Sequence, residues 1–377
     1  MITWLGCDLV SGQIIDELPD LTLGGSIGRV LGTSTNTSFS LPVPLPGVTV
    51  PVRDWLGATE PGRSLIVAVM NDVPIWGGIV LRRNGGTDGT VELSAVTIEG
   101  YLDRRYVGDH VWVNVDQASV IAAELLGDAQ DEGIDLTIDA PASGTLRDRA
   151  YFDKDNKTVF ATLDELSGVL DGPEWTIDLE WADATQTAVS KIARVRSRIG
   201  IASPSPSAVF ETSAAAVFGT VGASGAEYTY DEDYSAGRGA NHVVAYSSGE
   251  GDSQPFSAPA RDEVLLANGF PRWEHRFQPS SSITDVATLN SHAQARVAVM
   301  KMGARTWAIE ANASAYPLLG VDWNLGDDVA WQLVGHRHPD GVTDQGRAIG
   351  WNLNPETDRV SLVLWDPSEA AETLEGE

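Results

Sequence analysis

VELSAVTIEGYLDRRYVGDH, residues 91–110, alternates through Val91, Leu93 and Ala95, breaks at Gly100 and then sets Arg104 beside Arg105. A period of two predicts a half-buried β-strand. The segments upstream read the same way. ITWLGCDL and QIIDELP flank a Ser-Gly-Gln turn, and LTLGGSIGRVL and TSFSLPVPLPG follow, the prolines of the latter suiting an edge or a strand end. RSLIVAVM and PIWGGIVLRR are joined by Asn71-Asp72, which suits a tight turn. The paired glycines of PIWGGIV suggest a bulge or a close backbone approach. VRDWLGATE is the one short helical candidate. Residues 1–106 therefore read as short strands separated by turns, a barrel or sandwich pattern.

Residues 107–200 change character. Asp116 is placed to cap a helix carrying Ala118, Ile121 and Leu125. A second helix is expected from Asn156 or Thr158, with Val159, Leu163, Leu166 and Leu170 on its apolar face and Asp171-Gly172-Pro173 at its end. GIDLTID, EWTIDLEW and AVSKIARVRS read as strands, giving a small α+β insert. Residues 201–241 are rich in Ala, Ser and Gly and read as loop and linker. Residues 242–366 return to strands, interrupted by a helix at 283–302 whose face is Ile283, Val286, Leu289, Ala293, Val297 and Met300. Residues 367–377 form an acidic tail expected to fray. The fold class is mainly β with an α+β insert.

The net charge of −28 disfavours tight binding to nucleic acid or anionic membrane, because such a surface repels phosphates. It also suits simple solubility. No apolar run reaches the roughly 20 residues of a membrane helix. MITWLGCDLVSG lacks the basic-then-apolar pattern of a secretory leader. Cys7 is the single cysteine, so neither a disulfide framework nor a cysteine metal cluster is expected, and its alternating strand suits a buried structural thiol.

The candidate chemistry is sparse. His336 and His338, near Asp340 and Asp344, have metal-ligand spacing, but Pro339 and Gly341 make the segment a hairpin loop. Asp153-Lys154-Asp155 starts like a calcium loop and then lacks its glycine and closing glutamate. Asp327 and Asp328 are adjacent, so on a strand they face opposite sides and suit a turn better than shared acid–base work. GASG at 222–225 fails the nucleophile-elbow pattern, and no lysine follows the glycines at 24, 25 and 28 as a phosphate loop requires. No cofactor and no catalytic or metal residue is expected. Of the twelve tryptophans, Trp76, Trp175, Trp181, Trp307, Trp331, Trp351 and Trp365 fall in expected strands. Core filling is the first reading, and an exposed row stacking on sugar is the rival.

Taken in order, LGGSIGRVLGTSTNTSFSLPVP, PGRSLIVAVMNDVPIWGGIVLRR, VELSAVTIEGYLDRRYV, GANHVVAYSSGEGDS, SSITDVATLNSHAQARVAVM and GWNLNPETDRVSLVLWDP resemble the minor tail proteins of long-tailed phages that infect actinobacteria, of the tail hub type. The resemblance runs over nearly the whole chain. It implies two β-barrels similar to the tail-tube subunit, here residues 1–106 and 242–366, in a homotrimer that continues a sixfold tube. It implies contacts with the distal tail ring, the tape-measure protein and the tip fibre or receptor-binding proteins. DNA would pass through an acidic lumen without sequence-specific contact. The family shares no catalytic residue, and a chain ending about ten residues after its last strand is expected to be a bare hub.

On this reading Gly100 bends the chain out of the first barrel, Tyr101 and Leu102 pack the exit, and Arg104 and Arg105 stand at the barrel edge. There a guanidinium fork meets either an acidic neighbouring subunit or a carboxylate of its own chain. Rival functions are a receptor- or glycan-binding tip module, a glycan-cleaving enzyme with paired carboxylates, and the distal tail ring protein.

Overall fold

The computed structural model describes residues 2–43, 54–169, 171–212, 224–249, 254–279, 283 and 285–365. The expectations for the strand end at 44–50, for Leu170, for 213–223 within the linker and for the tail at 367–377 lie outside the described residues. The protein is mostly β, with a half-barrel sheet and an α+β insert. It divides into two compact units, the first from residues 1–227 and 309–363, the second built on residues 228–308.

The first unit opens with β1 (Ile2–Asp8), β2 (Ile14–Glu17), β3 (Thr22–Leu23), β4 (Ile27–Val30) and β5 (Asn36–Pro42). The one-turn helix α1 (Trp55–Ala58), β6 (Ser64–Met70), β7 (Val73–Gly85) and β8 (Thr90–Thr97) follow. Seven of these strands form an antiparallel sheet in the order β2-β1-β6-β7-β8-β5-β3. Asn71 and Asp72 turn β6 into β7 with φ of 51° and 63°, the left-handed pair that a two-residue hairpin requires. One sheet face presents Trp4, Phe39 and Trp76, with ring centroids 5.2 and 5.9 Å apart in successive pairs. The other presents Leu5, Cys7, Leu65 and Val67 to the insert.

The insert holds β9 (His110–Asp116), α2 (Ala123–Gln130), β10 (Thr137–Asp139), β11 (Leu146–Tyr151), α3 (Val159–Ser167), β12 (Glu174–Trp181) and β13 (Val189–Arg196). Asp116 accepts hydrogen bonds from the backbone N–H of Ala118 and Ser119, so the chain enters a π-turn over 117–122 and then α2. Thr158 caps α3 through Ala161 N–H. Ala118, Ile121, Leu125, Val159, Leu163 and Leu166 are all buried in the same core as Leu5 and Leu65. The insert and the first sheet thus share one core. Gly77 makes room for it, since a Cβ there meets Leu179 Cδ1 at 2.5 Å.

Cys7 lies in that shared core, and burial pushes its thiol up to about 12. Below that value it is the protonated, unreactive form. A thiol reagent at pH 8 is therefore expected to label Cys7 only at the rate at which the core opens, and rapid stoichiometric labelling of the folded chain contradicts this.

Beyond the insert, β14 (Val209–Glu211) and β15 (Glu227–Asp233) lie within the span expected to be loop and linker. Phe210 is fully buried edge-on to Trp323, at 5.7 Å, and this anchors β14 in a segment whose Ala and Ser content reads as loop. Then come β16 (His242–Ala245), β17 (Ala260–Arg261), the short helix α4 (Glu263–Ala267), β18 (Glu274–Phe277) and α5 (Val286–Met300). The chain closes with β19 (Ala304–Asn312), β20 (Asp328–Leu333), β21 (Val342–Asn354) and β22 (Arg359–Leu364).

The single module expected over 242–366 is divided. In the second unit β17-β16-β18 pack on α5, with Val243, Ala245, Phe277, Leu289, Ala293, Val297 and Met300 as a separate core. Val286, expected on that apolar face, is 47% exposed. In the first unit β14-β20-β21-β22-β19 form a second sheet. β4 joins it rather than the first sheet, pairing Ile27–Val30 with Leu353–Gly350 of β21. Gly28 permits the approach, because a Cβ there lies 2.7 Å from Trp351 O.

The tryptophans sort as core, with exceptions. Trp76, Trp175, Trp331 and Trp351 are buried, Trp181 and Trp307 are half-buried, and Trp365 is exposed. No helix among the described residues is long and apolar enough to cross a membrane.

Candidate functional site

β8 ends at Thr97, three residues before Gly100, and the chain turns at once into a 3-10 helix, Ile98–Arg104. Gly100 is therefore not the bend. It is the contact, for a Cβ there meets Val96 Cγ2 at 2.5 Å. Leu102 is fully buried in the shared core and Tyr101 packs beside it.

The two arginines separate. Arg105 donates to the carbonyls of Asp128 (3.1 Å) and Asp131 at the C-terminal end of α2, and its guanidinium lies 5.9 Å over the Tyr101 ring. A cation on the last helical carbonyls is a favourable placement within the chain itself. Arg104 is exposed and makes no hydrogen bond or ion pair with a described residue. Arg105→Ala is expected to cost about 1–2 kcal/mol of stability, and Arg104→Ala less than about 0.5 kcal/mol. Thermal melts of the two variants check this, and equal losses contradict it.

The same 3-10 helix buries Glu99, and this carboxylate begins a row of charges that sequence reading missed. Glu99 accepts from Ile177 N–H at 3.1 Å and lies 3.7 Å from Arg29 of β4. Arg29 donates to Thr176 Oγ1, Ile177 O and Asp178 Oδ1 at 2.8, 2.9 and 2.9 Å. Asp178 also takes Arg194, which in turn meets Asp139 and Glu180. Arg196 binds Asp139, Arg198 binds Asp328 at 2.6 Å, and Arg347 of β21 forms a two-pronged pair with Glu174. Asp327 accepts from the N–H groups of Ile201 and Asn324.

The signal for this seam lies in two alternations. KIARVRSR puts Arg194, Arg196 and Arg198 on the opposite side from Ala193 and Val195, and EWTIDLEW puts Glu174, Asp178 and Glu180 opposite Trp175, Ile177 and Leu179. Burial raises the Asp178 carboxyl, but the Arg29 charge and the hydrogen bonds from Arg29 and Arg194 outweigh it and hold it below the usual carboxylate range. Asp139 is held low first by the Arg196 hydrogen bond.

The seam lines a cleft of about 360 Å³, walled by Arg29, Asp178, Arg194, Ile75, Leu325 and Trp351. Arg29 and Arg194 are both committed to Asp178, so their chemistry is that of a clamp joining β4, β12 and β13, to which the Arg347–Glu174 pair adds β21. His336 and His338 lie in the turn between β20 and β21, where His338 N–H donates to Gly335 O. Asp153–Asp155 form a 3-10 turn ending at Asn156 with φ 53°. Among the described residues no group of three or more His, Cys, Asp or Glu side chains is arranged to hold a metal ion.

No protein-family model matches the sequence, and no curated protein matches it. Solved structures do share its fold. A 43 kDa tail protein of prophage MuSo2 from Shewanella oneidensis superposes with TM-score 0.56 at 11% identity, covering 98% of this chain and 99% of that one. A tail protein from Neisseria meningitidis MC58 superposes with TM-score 0.51 at 14% identity, covering 99% of each chain. A Francisella PdpA-VgrG complex gives TM-score 0.51 at 8% identity over 98% of this chain and 55% of that one. What the chain shares with them is the fold.

Proposed function

We propose that the chain is a structural minor tail protein that forms a trimeric hub at the distal end of a phage tail, of the long-tailed type seen in actinobacteriophages. The observation that carries this reading is the fold likeness to two tail proteins over 98% or more of this chain and 99% of each of theirs. The chain acts by assembly rather than catalysis. In the virion it joins the distal tail ring to the tip fibre or receptor-binding proteins and meets the tape-measure protein during assembly. Three copies, each supplying its two large sheets, continue a sixfold tube. The charge of −28 suits a channel wall past which DNA slides without adhering. Arg104, exposed beside the first sheet, is assigned to the subunit edge.

Antibody against the chain, applied to tailed particles, is expected to label the tail end away from the head. Label along the shaft or at the head junction overturns the distal placement. The likeness to the VgrG complex favours one second reading, a component of a VgrG-type assembly, for which tailed particles carry no label at all.

A further inference from the structure

We propose that the two-stranded ribbon of β9 and β11 is a contact between copies of this chain: the open edge of β9 pairs with the open edge of β11 in the next copy, and three ribbons close into one ring of six strands. The proposal rests on the trimeric reading and names its contact. Among the described residues β9 and β11 pair only with each other, so each keeps an outer edge with no strand beside it. Such an edge presents a row of N–H and C=O groups that another strand matches, and a two-stranded sheet alone is marginal in water.

The two faces of the ribbon differ. Trp112 and Tyr151 turn into the shared core. The alternate positions turn outward, where Val111, Val113 and Leu146 are 66%, 70% and 54% exposed, and Ala150, directly opposite Val111, is exposed beside them. Apolar side chains gathered on one exposed face mark a contact surface.

Charge and symmetry select the occupant. At a net charge of −28, copies repel one another through most of their surface. The outer face of the ribbon carries Asp148 as its one charge, and that carboxylate accepts from Asn114 N–H at 2.7 Å. The edges are complementary. Asp109 precedes β9, which has no Lys or Arg, whereas β11 has Arg147 and Arg149 against Asp148. Asp109 is exposed, and neither it nor Arg149 has an ion-pair partner among the described residues. Opposite charges on neighbouring strands favour their pairing.

Because the β9 edge and the β11 edge differ, copies join head to tail, and such contacts close into a ring by rotation. The two strands of each ribbon are antiparallel, so rotation about an axis along the ribbon alternates strand direction all the way round, and every new seam is antiparallel too. Closure leaves no edge unpaired. A barrel of about eight strands is already narrow enough for its side chains to fill, so a ring of six takes small ones such as Val111, Val113 and Ala150. Filled in this way, the ring stops the threefold axis. It is then the closed form of the channel, and its seams part before DNA passes.

Hydrogen exchange and sedimentation of the full 377-residue chain, run over one concentration series, test this. Exchange in peptides covering β9 and β11 is expected to slow at least tenfold as the trimer forms. Val111→Asp/Val113→Asp should associate at least tenfold more weakly while melting within a few degrees of wild type. Val111→Thr/Val113→Thr, which keeps the branched strand shape without the apolar surface, should weaken association as well. A trimer that forms without protecting β9 and β11, or that both variants leave unchanged, overturns the ribbon contact and leaves the trimeric reading standing. A dimer that protects both strands overturns the ring, because the ribbons have then paired about a twofold axis. A wild type that stays monomeric throughout overturns the trimeric reading and the contact with it.

Discussion

Arg29→Ala is expected to lower the unfolding free energy of the first unit by about 3–5 kcal/mol, the range found when one partner of a buried ion pair is removed. Arg29 is 11% exposed, and Glu99 and Asp178 beside it are 3% and 25% exposed. Removing the guanidinium leaves the buried Glu99 carboxylate with only neutral donors and leaves Asp178 with Arg194 as its one remaining charged partner. It also leaves the carbonyl of Ile177 and the hydroxyl of Thr176 short of a partner. Arg29→Lys is expected to recover only part of the loss, since a point-like ammonium cannot span Thr176, Ile177 and Asp178 together. Urea titration followed by tryptophan fluorescence reads the effect, and a loss below about 1 kcal/mol contradicts the buried-clamp account. The acid limb gives an independent check. A carboxylate whose folded pKa is depressed contributes stability that is present above its unfolded value, near 3.9, and is lost as pH falls through the folded value. Asp178 and Asp139 are both of this kind. Wild type should therefore lose stability below about pH 4, and Arg29→Ala, having already forfeited the part of the Asp178 share that Arg29 supplies, should lose less there.

Trp351→Ala is expected to cost about 3–5 kcal/mol, the range for emptying a large buried aromatic site. Trp351 is 2% exposed in β21, directly opposite Arg29 of β4 in the register, and it walls the same cleft as the seam. The backbone around it is already at contact distance through Gly28, so collapse into the void is restricted. Trp365, 49% exposed just past β22, is the control, and its alanine variant should cost less than about 1 kcal/mol. The same urea titration compares the two, and near-equal losses contradict the assignment of Trp351 to the core.

Local pattern made much of this legible. Asp116 marks the start of the helical turn that leads into α2 and Thr158 the start of α3 by capping chemistry, the buried face of α5 follows a helical period from Leu289 to Met300, and Asn71-Asp72 marks a hairpin. Long-range pairing was not legible. Nothing in IGRV says that it leaves its neighbours for β21, more than three hundred residues away, and Glu174 and Arg347, separated by 173 positions, show no local sign of their pairing. The alternating arginines of β13 are visible as a pattern, but which carboxylates they meet depends on the sheet order. Gly100 shows the opposite failure. A glycine after a strand reads as a bend, whereas here it is required for close packing on Val96 within a turn that has already begun. Arg104 and Arg105 read as equivalent because their surroundings come from α2, which the dipeptide does not encode.

The central claim is assembly, and native mass across a concentration series tests it most directly. A trimer of the 40.2 kDa chain is the predicted result. A hexamer, the state expected of a distal tail ring, contradicts the hub, as does a monomer at every concentration.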